Sequence, residues 1–213
     1  MALSKVDYNS INVTAAASKA LKWNSSANGF ETGDVGGSMV LLATETASGS
    51  ATVTFDSSID STYKEYIFVG TDIHPAEDGV VLTVGFRDGS TAYDATKTTT
   101  SFRIYHDEAD TQTAAAYVAA QDLAQSTGFQ PIIIDMGTDN DQCGCFKLHL
   151  YDPSSTTFVK YFISTMQNYH NADLSNQLYV SGYCNVTTAI DGVQFKMSSG
   201  NTDAGTIKMY GVL

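Results

Sequence analysis

The chain has 213 residues and carries 23 acidic against 11 basic side chains, a net charge of −12. That balance leaves no clustered Lys/Arg surface for nucleic acid or an anionic membrane. At this length a single core buries roughly 70% of the unfolded surface, so no disulfide scaffold is required.

The chain opens on residues 1–37, which differ from the rest. Residues 3–23 are polar with scattered apolar side chains and no sustained period. Asn24-Ser-Ser-Ala-Asn-Gly29 and Gly33-Asp-Val-Gly-Gly37 are loop chemistry. This segment reads as an extended arm, with one short strand expected around residues 10–14, ordered against another subunit or protein. The first residues lack the basic start and apolar core of a signal peptide, and no apolar run approaches the ~18 residues of a membrane span. The product is therefore expected to be made in a cytoplasm.

From residue 38 strands are expected at 39–43, 51–55, 63–73, 80–87, 101–106, 131–136, 145–151, 158–166 and 178–186, separated by turn-forming clusters. In 63–73, Ile67, Val69 and Ile73 oppose Tyr66 and Phe68. Val80, Leu82, Val84 and Phe86 share one face of the next strand, and Phe146, Leu148 and Leu150 point inward further on. Residues 114–124 are rich in alanine, and both a helical turn and a strand stay open there. The chain closes on two alternating runs, 190–197 and 206–211, around Ser198-Ser-Gly-Asn-Thr-Asp-Ala-Gly205. Gly200 and Asn201 tolerate positive φ, so a hairpin is expected, tied into a sheet so near the terminus. These ten or eleven strands predict an all-β fold: an antiparallel β-sandwich of jelly-roll type over 38–213, with residues 1–37 as arm and anchor.

Chemistry-bearing motifs are scarce. Cys143, Cys145 and Cys184 are odd in number with no C-x-x-C, and read as reduced, structural residues. His74, His106, His149 and His170 have no metal-ligand spacing. Asp135, Asp139 and Asp141 could offer oxygens to Ca²⁺, but without EF-hand spacing a solvated turn is the better reading. No nucleophile elbow, Walker loop or dinucleotide fingerprint occurs, so no catalytic residue, cofactor or metal ligand is assigned. Tyrosines are the notable inventory. Tyr161, Tyr179, Tyr183 and Tyr210 fall on polar strand faces and are the candidate subunit-contact or sugar-stacking groups, alongside Tyr169.

Two stretches carry a resemblance. Ala2-Leu-Ser-Lys-Val-Asp-Tyr-Asn-Ser-Ile-Asn-Val-Thr14 with Ala20-Leu-Lys-Trp-Asn-Ser-Ser-Ala-Asn-Gly-Phe-Glu-Thr-Gly33 resembles the start of tailed-phage virion structural proteins, marine ones especially. Tyr63-Lys-Glu-Tyr-Ile-Phe-Val-Gly-Thr-Asp-Ile-His-Pro-Ala76 and the closing segment 190–211 look like jelly-roll modules of phage fibre and head-surface proteins. The resemblance implies a non-enzymatic virion protein, a homotrimer held to other virion proteins by its arm. The chain shows no shaft repeat or coiled coil, so a short tail fibre, a fibre knob or a capsid decoration fits. A receptor- or carbohydrate-binding module facing a host glycan is the alternative, and a glycan depolymerase ranks below both.

Overall fold

The structure, a computed structural model, describes residues 19–34 and 38–213. The chain divides into two compact units, Met1–Ser38 and Met39–Leu213. The strand expected at 10–14 lies outside the described residues.

In the first unit, β1 (Lys19–Trp23) pairs antiparallel with β2 (Phe30–Asp34). The loop residues 24–29 are thus the turn of a hairpin rather than part of an extended arm. Asn24 N–H donates to Gly29 C=O (2.9 Å), and Asn28 N–H donates to the Asn24 side chain (3.2 Å). Trp23 stacks on Phe30 at 4.5 Å, closing the first rung beyond the turn.

The second unit is all-β, with no helix among the described residues. Its strands are β3 (Met39–Ser50), β4 (Val53–Phe55), β5 (Glu65–Pro75), β6 (Val80–Arg87), β7 (Lys97–Asp107), β8 (Thr113–Tyr117), β9 (Gln130–Met136), β10 (Gly144–Tyr151), β11 (Lys160–His170), β12 (Leu174–Cys184), β13 (Gly192–Met197) and β14 (Thr202–Val212). One layer runs β3-β14-β5-β10-β11-β12-β7-β8, and the facing layer runs β9-β6-β13-β4. They meet at the single pair Met136↔His170, and β3 leads directly into β4 on the other side, so the sheet is nearly closed. The alanine-rich stretch resolves as strand β8.

Aromatic rings from both layers form the interior. Phe55 and Phe195 of the small layer meet Phe68 and Phe146 of the large one, with Phe55–Phe68 centroids at 5.3 Å and Phe146–Phe195 at 5.2 Å. Phe86 meets Phe162 at 4.9 Å. All are buried. The alternation expected for 80–87 and 145–151 is present, with Leu82, Val84, Phe86, Leu148 and Leu150 inside.

Two expectations are corrected. The closing runs are strands but not a hairpin: β13 lies between β6 and β4, whereas β14 lies between β3 and β5. Gly200 does take φ 65°, yet the turn carries the chain from one layer to the other. Both runs put apolar side chains into the same interior (Val193, Phe195 and Met197 from one side, Ile207 and Met209 from the other), which a shared sheet would not require. In β5, Ile73 shares the inner face with Tyr66 and Phe68. Four residues of β5 from Gly70 to Ile73 oppose three of β10 from Phe146 to Gly144, a bulge with Asp72 at φ 53°. The extra residue reverses the parity beyond it.

Candidate functional site

The outer face of the large layer carries most of the exposed large apolar side chains of the second unit. Strands β11, β12 and β7 are in continuous register, so their outward side chains form rows. Tyr161 stands opposite Tyr183, with ring centroids 6.4 Å apart. Tyr179 stands opposite Phe102, at 6.0 Å, and Phe102 is flanked on its other side by Tyr117 of β8. Ile163 and Ile104 extend the face. Tyr161 and Tyr117 are more than half exposed, at 57% and 55%, and Phe102, Ile104, Ile163 and Tyr179 are also exposed. Exposed apolar side chains grouped in this way make the face the candidate interaction surface.

Three of the four candidate tyrosines are therefore brought together. Tyr210 is not. It pairs with Ile67 of β5, whose neighbour is His149 of β10 and then Ile163 of β11, which leaves it on the same face but three strands away. Phe102, Ile104 and Tyr117 belong to the site without having been singled out in the sequence. In β7 the usual pattern is inverted: Ser101 and Arg103 face inward and the apolar residues outward.

The same face is hollowed into three open clefts. One of ≈680 Å³ crosses Asp72, Cys145, Gln167, Tyr169, Ser175 and Glu108 at one end of the strands. One of ≈400 Å³ sits over Thr165, Gln167 and Gln177 with Lys147 at its flank. The last, ≈420 Å³, lies between Tyr161, Ile163 and Tyr183. The Tyr169 hydroxyl is pushed up to about 12 by burial and by its bond to Asp173 (3.2 Å), so it stays protonated.

Each histidine has a carboxylate beside it: His74 with Asp203 (3.7 Å), His106 with Asp110 (3.0 Å), His149 with Glu65, and His170 with Asp135 (3.2 Å). The His170 pair closes the junction of the two layers. Its Nδ1 accepts the Ala172 N–H (3.0 Å), so Nε2 carries the proton that faces Asp135. That bond, helped by Arg103, holds the Asp135 carboxyl below the usual carboxylate range. Arg103 Nε donates to Asn176 Oδ1 (2.6 Å), and Asn176 Nδ2 donates to Asn168 Oδ1 (2.8 Å). Both ring nitrogens of His170 are engaged, which makes the group a structural clasp. Asp135 is engaged by His170, and no cluster of three or more potential metal-ligating side chains forms among the described residues.

The cysteines are free. Cys184 is buried between Lys160 and Lys97 on its neighbouring strands, and its thiol is pushed up to about 12 by burial. Cys143 and Cys145 are exposed, so only Cys184 serves as a core-lining residue.

Comparison with protein-family models, with curated proteins and with solved structures found no match to this chain.

Proposed function

We propose that this protein is a non-enzymatic structural subunit on the surface of a tailed-phage particle, a short fibre, fibre knob or capsid decoration. It acts by presenting the outer face of its large sheet, and its N-terminal unit joins it to other virion proteins. The observation that carries the reading is the exposed aromatic face of β11, β12, β7 and β8. The N-terminal resemblance supplies the particle.

The subunit is expected to be a homotrimer, and the edge of β8, which pairs with no second strand among the described residues, suits that association. Val118 N–H donates to Ser101 C=O and Asp107 N–H to Gln112 C=O, which fixes the ladder parity with β7. Thr113, Ala115 and Tyr117 therefore turn their backbone N–H and C=O groups outward, on a strand with no Lys or Pro to guard it. Proline at Ala115 deletes an outward donor while sparing the bonds to β7. Ala115→Pro is expected to convert a trimer into a monomer by light scattering, with the thermal midpoint shifted by only a few degrees. A wild-type chain that is monomeric at all concentrations contradicts the trimer.

A further inference from the structure

We propose that the outer face of β11 and β12 is a groove for a linear, uncharged glycan; this deepens the reading of that face as the presenting surface. The register places five outward rungs side by side: Tyr161/Tyr183, Ile163/Ser181, Thr165/Tyr179, Gln167/Gln177 and Tyr169/Ser175. Outward neighbours on one strand lie about 6.6–6.8 Å apart, so the ladder is about 27 Å long. Aromatic rings occupy the first, third and fifth rungs, and amides or hydroxyls fill the intervals.

A pyranose has the matching chemistry. Its C–H faces pack on an aromatic ring, and its equatorial hydroxyls take and give hydrogen bonds to amides and hydroxyls. A chain of such units meets rings and hydrogen-bonding groups in alternation along its length. The polar groups are partly set in advance, because Gln167 Nε2 donates to Ser175 Oγ (3.1 Å). The Gln177 amide makes no hydrogen bond among the described residues, although it lies half-buried in the central cleft.

Charge and shape select the ligand class. The ten rung residues include no acidic or basic side chain, the clefts add the carboxylates of Asp72, Asp107 and Glu108 beside the flanking Lys147, and the protein carries −12, so an anionic polymer is disfavoured. A second copy of the chain would need a flat, closely filled contact. Here the ladder runs through three clefts of ≈400 to ≈680 Å³, within the range that small ligands occupy.

The test is calorimetric titration of the full chain with neutral oligosaccharides of increasing length (β-1,4-glucan, β-1,3-glucan, chitin and dextran series), with heparin as the anionic control. At least one neutral series is expected to bind, with affinity rising with chain length until the ladder is filled. Tyr179→Ala and Gln177→Leu should each weaken binding about tenfold, near 1.4 kcal/mol, without moving the thermal midpoint. No neutral binder, preference for heparin, or unchanged binding in both variants overturns the groove. Loss of self-association in Tyr179→Ala without any glycan binding assigns the face to a second copy and also overturns it. Incorporation of the chain into particles, scored separately, reports on the structural role and not on the groove.

Discussion

Phe195→Ala is expected to lower the unfolding free energy by about 3–5 kcal/mol. Phe195 is fully buried in β13 and its ring meets Phe55, Phe68 and Phe146, at 6.2, 5.7 and 5.2 Å. It is thus the ring through which the small layer grips the large one. Its neighbours cannot collapse inward freely. Phe146 already lies against Gly70, where an added Cβ would come within 2.1 Å of the ring, so that wall is closely packed on its far side. The cavity therefore stays open and the cost falls at the upper end of the range. Urea unfolding checks it, with Phe158→Ala as control, since Phe158 is 69% exposed and its loss should change little. Equal stabilities for the two variants would show that the layers do not meet at Phe195.

Lys97→Met is expected to go the other way, leaving the protein as stable or up to about 2 kcal/mol more stable at pH 7. Lys97 is fully buried, and its Nζ donates to Ala95 C=O (2.7 Å). Burial lowers its pKa below the ordinary 10.5, against weaker opposing pulls from Cys184, Asp94 and Asp88. The ammonium is therefore less favourable in the folded chain than in the unfolded one. The penalty is full below the folded pKa, shrinks as pH rises through it, and vanishes above 10.5, where both states hold a neutral amine. The stability gap between variant and wild type should accordingly close as pH is raised towards 10.5. A variant more than about 1 kcal/mol less stable at pH 7 contradicts this account of the site.

Much of the strand inventory was legible because period two is a local property. Val80 to Phe86 and Phe146 to Leu150 needed no knowledge of the rest of the chain. Pairing is not local. The closing runs showed the same alternation whether they faced each other in one sheet or faced the interior from two, so the layer crossing at Gly200 was hidden. The bulge at Asp72 was hidden too, since one unpaired residue leaves no mark in composition yet moves Ile73 to the other face. In β7 the sequence misleads outright: Ser101 and Arg103 are inside because Arg103 joins Asn176 and Asp135, which frees Phe102 and Ile104 to stand outside. Tyrosine content pointed to the sheet face that carries the exposed aromatic rows, and only register could show which tyrosines share it.

Antibody labelling of intact phage particles in a lysate that contains this chain, viewed by electron microscopy, tests the proposed structural role most directly. Label at fixed positions on heads or tails, lost when the chain is supplied without residues 1–37, is the result expected here. A chain that stays wholly in the soluble fraction, with particles unlabelled, would contradict it.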